Sequence, residues 1–426
     1  MRLEPLVEAL GGADMAYDET TFRRPGGDQA ANDPAAYRRR VQYDDTAGST
    51  LDQSLSAPVT AGPFPAAAEE DGRDRLGIHL GWEVVLLVAA GVLGFFLFRE
   101  DSGALQRPAL DSLLVTGAAI GLLTLGAGLS LRAGAPNLAI GPVALAAALQ
   151  YAENSDKGVL QALVPALIIG AAGGLVAGLL VAVLHVPGWA VSLGAGLGVI
   201  VFIQLRVEPI VVQGDWDPTG KAFLLFGGFA ILAVLGGGLG AIGPVRRFFG
   251  RLRPAGDPAR RRGTAAAVPV LVAMVLSTVF AVGAGVLFAA QSAGPIVPGT
   301  GLEWTGIAMG LAMLAGTSAY GRRGGIFGTL FAVTALTLFL DYENRRELDI
   351  ALFAIAASLV VAGLIITRLV ETYGSLGSGG TAVEWNAAPS SAAANWSPAS
   401  PETWNAPATP AAPSDRWDDG PWGATR

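Results

Sequence analysis

Residues 159–184 read VLQALVPALIIGAAGGLVAGLLVAVL, a stretch in which Gln161 is the one polar side chain and none is ionisable. An α-helix rises 1.5 Å per residue, so about 20 apolar residues cross the ~30 Å hydrocarbon core of a bilayer. This stretch has that length, and it decides the fold class. Working outward, comparable segments occur at Leu80–Phe98, Leu110–Leu131, a shorter Leu138–Tyr151, Trp189–Leu205, Ala222–Val245, Ala265–Ala290, Ile307–Tyr320, Gly325–Leu340 and Ile350–Leu369. The expectation is an all-α integral membrane protein with about ten transmembrane helices.

Composition agrees. Hydrophobic residues make up 52% of the chain and charged residues 15%, against about 25% charged in soluble domains; mean hydropathy is +0.48. The charges crowd into the ends and the short loops. Three regions follow: a polar tail over 1–77 without an apolar signal core, a transmembrane domain over 78–372, and a tail over 373–426 rich in Pro, Ser and Ala that carries Trp385, Trp396, Trp404, Trp417 and Trp422. Neither tail holds enough apolar surface to offset its ordering entropy, so both are expected to be disordered.

Arginine sets the orientation. If the N-terminus is cytoplasmic, the loops after even-numbered spans are cytoplasmic too. They hold Arg132, then Arg246, Arg247, Arg251, Arg253, Arg260, Arg261 and Arg262, then Arg322 and Arg323, with Asp257 as their acid. The opposite loops hold Asp101, Glu153, Asp156, Glu208, Asp215, Asp217, Glu303, Asp341, Glu343, Glu347 and Asp349. The positive-inside rule then puts both termini in the cytoplasm, and an even helix count keeps the alternation.

Several chemistries are excluded. There is no cysteine, and the two histidines, His79 and His185, are too far apart for a zinc motif, so no metal site is expected. No cofactor and no nucleic-acid partner are expected. Gly214 to Ala222 has five residues between its glycines and an alanine after Lys221, so it is no phosphate loop; the chain has no nucleotide site of its own and reads as no enzyme. The spans carry almost no ionisable side chain. Glu83, near the start of the first, is the nearest, and an interfacial role is expected for it.

Three segments interrupt the apolar pattern. In Arg132 to Pro142, Pro136, Gly141 and Pro142 resist regular helix, and Asn137 can bond a hydroxylated solute or stabilise the break. Gly316-Thr317-Ser318, leading into Arg322-Arg323 and Gly324-Gly325, makes a Gly-rich turn. In Gly256-Asp257-Pro258-Ala259-Arg260, Asp and Pro can start a short helix as cap and first residue.

Read in order, these pieces resemble the permease subunit of ribose-type ABC importers, in the wider family that includes branched-chain amino acid and nucleoside permeases. The resemblance covers roughly residues 110–369. Gly316-Thr317-Ser318, Gly321-Arg322-Arg323-Gly324-Gly325 and Gly328-Thr329 resemble the family's G-G-T-S, G-G-x-G and G-T. Asn137-Leu138-Ala139-Ile140-Gly141 is similar to its D-L-S-x-G. Pro187 to Gly194, with Ser192 in the hydroxyl position, is similar to its P-x-x-x-x-T-L-G, and Val275-Leu276-Ser277 with Ala284-Gly285 to a helix rich in such residues. The resemblance implies a permease bundle of the multi-pass type in a bacterial plasma (inner) membrane. It further implies a second permease copy, two cytosolic ABC ATPase subunits and an extracytoplasmic solute-binding protein. Pro136, Asn137, Gly141, Ser192, Gly316, Thr317 and Ser318 are then candidates for the translocation path. Gly256, Asp257, Pro258, Ala259 and Arg260 are candidates for ATPase coupling, although Arg260-Arg261-Arg262 stand where the family has small residues. The cargo would be a small polar solute, with a monosaccharide one candidate. The rival readings are a permease-derived scaffold or regulator that no longer transports, and a nucleoside or branched-chain amino acid permease. A channel or secondary transporter is disfavoured by the charge-free spans.

Overall fold

A computed structural model of the chain describes residues 76–241, 264–318 and 325–374. Both polar tails, the arginine-rich loop with Gly256 to Arg260, and residues 319–324 lie outside the described residues.

The described residues are all-α, and each of the ten apolar segments holds one helix: α1 (Leu76–Glu100), α2 (Ala109–Arg132), α3 (Ile140–Asn154), α4 (Val159–Leu184), α5 (Gly188–Gln204), α6 (Ala222–Ala241), α7 (Thr264–Gln291), α8 (Leu302–Leu314), α9 (Gly328–Arg345) and α10 (Leu352–Gly374). Six of them, α1, α2, α4, α6, α7 and α10, are long and apolar enough to cross a membrane. Of the about ten transmembrane helices expected, α3, α5, α8 and α9 are not among these six. α3 has 15 residues and α8 has 13, about 20 Å of rise each, because proline and glycine interrupt the chain beside them. Gly301 (φ 70°) opens α8 and Gly316 (φ 95°) follows its end, which moves this helix five residues ahead of the apolar run Ile307–Tyr320. α9 runs past Leu340 into charged residues, where Asp341 and Arg345 pair one turn apart at 2.8 Å.

α2 and α7 form the centre. Of their apolar windows 56% and 61% are buried, against 22% for α1, α4 and α6. Lipid gives helices no hydrophobic reason to associate, so close approach through small residues holds them together. A β-carbon on Gly126 of α2 would come within 3.2 Å of the Ser277 backbone on α7, and one on Gly283 of α7 within 3.4 Å of Leu122 on α2. The residue numbers run in opposite senses, so the two helices are antiparallel. α4 packs along the other side of α7. Its Gly170, Gly174 and Gly178 meet Val282, Thr278 with Met274, and Leu271 in turn.

The outer faces are apolar. Val88 and Phe95 on α1, Ile169 and Val183 on α4, and Leu224 and Ile231 on α6 all stand exposed. An apolar surface this extensive belongs in lipid rather than in water. The chain is a multi-pass membrane protein.

The α4–α7 contact yields a prediction. A β-carbon at Gly174 would sit 2.4 Å from Thr278 Oγ1 and 2.7 Å from the Met274 carbonyl, while one at Gly173 meets nothing within 4 Å. Gly174→Leu is expected to destabilise the protein by about 1–3 kcal/mol or more, and Gly173→Leu to leave stability nearly unchanged. Thermal unfolding in detergent, followed by loss of the monodisperse peak, measures both.

Candidate functional site

The break between α2 and α3 lies where four helices meet. α2 ends conventionally: Gly134 turns at φ 70°, its N–H donates to Leu131 O at 2.9 Å, and Ala135 N–H donates to Ser130 O at 3.0 Å. Pro136 has no N–H. From Pro136 onward helical bonding stops, and hydroxyl groups take its place.

Each hydroxyl both accepts and donates. Ser130 on α2 accepts from Asn137 N–H at 3.1 Å and donates to Ala127 O at 2.8 Å. Ser192 on α5 accepts from Leu138 N–H at 3.0 Å and donates to Pro136 O at 2.9 Å. Ser277 on α7 accepts from the Asn137 Nδ2 group at 2.7 Å and donates to Met274 O at 3.0 Å. Thr305 on α8 accepts from Gly141 N–H at 3.0 Å and donates to Leu138 O at 3.1 Å. Asn137 Oδ1 accepts from Ala139 N–H at 3.0 Å, closing a local turn. All five side chains are buried. Gly141 is required here, since a β-carbon would lie 2.0 Å from Gly301 O.

Four of the path candidates, Pro136, Asn137, Gly141 and Ser192, are thus brought together. Gly316, Thr317 and Ser318 belong to a different place, the C-terminal end of α8. There Gly316 N–H donates to Met313 O at 2.9 Å and Thr317 N–H to Ala312 O at 3.0 Å, with Thr317 and Ser318 buried. The coupling candidates Gly256, Asp257, Pro258, Ala259 and Arg260 lie outside the described residues.

Sequence reasoning missed Ser130 and Thr305, and it did not foresee that Glu83 is buried: the carboxylate is 3% exposed. Its Oε1 accepts from Phe327 N–H at 3.0 Å, at the start of α9, while Oε2 has no partner. The neighbouring Trp82 donates its indole N–H to Leu314 O at 2.7 Å, at the end of α8. Two adjacent residues of α1 therefore hold both ends of the α8–α9 connection. The available signal was a Trp-Glu pair at the head of the apolar run Val84–Phe98 of α1.

A second buried polar group stands at the far end of α3. Tyr151 is fully buried edge-on to Trp216, and its hydroxyl has no partner. The chain over it is tied down by Ser155, whose hydroxyl accepts from Gln213 N–H at 3.1 Å and Gly214 N–H at 2.8 Å, and by the antiparallel bridge between Ile210 and Ile296. Beyond it, Asp217 caps a short 3-10 turn. The Thr219 hydroxyl and N–H donate to it at 2.6 and 2.8 Å and hold its carboxyl below the usual carboxylate range. Arg206 pairs with Glu153 through two bonds at 2.6 and 3.0 Å.

No protein-family model, curated protein or solved structure matches the chain. Among the described residues no group of His, Asp and Glu gathers as metal ligands. The central hydroxyls bond backbone groups and the Asn137 amide.

Two substitutions should move stability in opposite directions. Asn137→Ala leaves the Ala139 N–H and the Ser277 hydroxyl short of partners, and is expected to cost about 2 kcal/mol or more. Tyr151→Phe deletes a hydroxyl that bonds nothing, and is expected to raise stability by about 1 kcal/mol. Melting of both variants beside the parent protein in the same detergent checks the signs.

Proposed function

We propose that this protein is the membrane-spanning permease subunit of an ATP-driven ABC-type importer, and that it provides the path for a small polar solute such as a monosaccharide. The observation that carries the reading is the break between α2 and α3, held at the centre of the bundle beside two short helices, α3 and α8. Transporters use broken helices in this way, because irregular backbone at membrane depth is tolerated only where protein buries it or a cavity receives it.

The source of energy follows from what the spans carry. A proton- or ion-coupled carrier places exchangeable charge at depth. Glu83 already gives one oxygen to Phe327 N–H, and the central site is built of hydroxyls and one amide. The work then comes from outside the chain, through cytosolic ATPase subunits docked near Gly256 to Arg260. Both termini lie in the cytoplasm, a solute-binding protein delivers cargo on the opposite face of the plasma membrane, and a second copy completes the assembly. The outward face of α5, with Trp189, Leu193 and Leu197 exposed and Gly194 and Gly198 facing open space, suits that copy.

One observation favours the rival reading of a permease-derived scaffold that no longer transports. The hydroxyls at the break spend their bonds on the chain's own backbone, which is what a purely structural turn needs.

Purification of the full chain in mild detergent from cells expressing it at native level separates the two. The importer reading expects a stoichiometric subunit that binds and hydrolyses ATP. If the chain comes alone, with no ATP hydrolysis above background, the scaffold reading replaces it.

A further inference from the structure

We propose that Glu83 is the anionic ligand of a monovalent metal cation, held where α1 meets the end of α8 and the start of α9. The first observation is an uncompensated carboxylate. Glu83 is 3% exposed, its Oε1 accepts one hydrogen bond, from Phe327 N–H, and its Oε2 accepts none. Among the described residues the ion pairs lie elsewhere: Arg107 with Asp111, Arg206 with Glu153, Arg345 with Asp101 and Asp341, and Arg346 with Glu100. A lone carboxylate is among the costliest groups to bury, and a counter-charge removes most of that cost.

The second observation is where the carboxylate stands. α8 ends beside it, and the carbonyl end of a helix carries partial negative charge. Trp82, the preceding residue, donates its indole N–H to Leu314 O at 2.7 Å. Gly325 donates its N–H to Ala315 O at 3.4 Å, and a β-carbon on Gly325 would lie 2.1 Å from Glu83 Oε1. The carboxylate is therefore pressed against the backbone that returns from the last carbonyls of α8. Each of those carbonyls accepts one bond and keeps a second lone pair. An anion beside the negative end of a helix is an unfavourable pairing, and a cation between them reverses its sign. A carboxylate oxygen with main-chain carbonyls at a helix end is a donor set that membrane proteins use for sodium and similar ions.

The charge count sets the class of ion. One carboxylate and neutral carbonyls balance a single positive charge. No group of His, Asp and Glu gathers among the described residues to balance a divalent one. The ion is a resident of the fold that ties α1 to the two ends of the α8–α9 connection, and the site does not depend on the importer reading.

Thermal unfolding of the purified full-length protein in detergent, in NaCl, KCl and N-methyl-D-glucamine chloride at matched ionic strength, tests the site. The melting midpoint is expected to rise with the concentration of NaCl or KCl, as ligand linkage requires, and to stay lower in N-methyl-D-glucamine chloride. Glu83→Gln keeps an oxygen for Phe327 N–H and removes the charge, so its midpoint is expected to be the same in all three salts. Equal midpoints of the parent protein in the three salts would mean that a proton neutralises Glu83, and overturn the proposal. A metal-cation dependence that survives in Glu83→Gln puts the ion elsewhere and overturns it too. Should the variant not fold, amide hydrogen exchange of Phe327 in the parent protein replaces it. That amide is expected to slow several-fold when NaCl or KCl replaces N-methyl-D-glucamine chloride, and unchanged exchange overturns the proposal equally.

Discussion

A backbone N–H or C=O has no water to turn to inside a bilayer, so every one must find its partner within the protein. The rest of this structure depends on how the chain meets that demand between α2 and α3. Pro136 ends helical bonding and leaves the amides of Asn137, Leu138, Ala139 and Gly141 and the carbonyls of Pro136 and Leu138 to be satisfied. Ser130, Ser192, Thr305 and the Asn137 side chain do so, and Ser277 holds the Asn137 amide in place. A hydroxyl suits the task because it donates and accepts through one atom. The four hydroxyls come from α2, α5, α7 and α8, so satisfying the break also fixes these helices around it.

The same environment explains the central packing. With no hydrophobic force between helices, contact area and backbone proximity decide which faces meet. Glycine lines the crossings of α2 with α7, of α4 with α7 and of α3 with α7, while large apolar side chains are turned outward. Hence α2 and α7, the most buried of the six long apolar helices, are also those with glycines on more than one face. Trp82 and Glu83 show a polar version of the logic. A carbonyl at the end of α8 and an amide at the start of α9 are both satisfied by α1, which is otherwise among the least buried helices.

Most of the helix inventory was legible in the chain, because twenty apolar residues in a row admit few readings. Helix ends were less so. Ile307 to Tyr320 reads as one apolar run, yet the chain turns at Gly316, where a positive φ ends α8, and starts the helix earlier, at Gly301. Of the central site, Pro136, Asn137, Gly141 and Ser192 could be found because they stand in or beside Pro and Gly interruptions. Ser130 and Thr305 could not. A hydroxyl in a membrane helix usually bonds the carbonyl one turn back, as Thr124, Thr337 and Thr367 do here. Nothing in the neighbouring residues distinguishes Thr305, which bonds across to another helix, from Thr337, which does not. The burial of Glu83 was hidden for a related reason: only the packing of α9 against α1 covers it.

The amides of Asn137, Leu138 and Ala139 are hydrogen-bonded in the broken segment as they would be in a helix. Amide hydrogen exchange of Asn137, Leu138 and Ala139, measured on the full-length protein in lipid nanodiscs, tests it most directly. The account predicts exchange as slow as that of the buried α2 amides from Ile120 to Ala127. Exchange as fast as that of the Ser292 to Gly299 connection would contradict it, and would mean that the break opens to water instead of being held by Ser130, Ser192 and the Asn137 side chain.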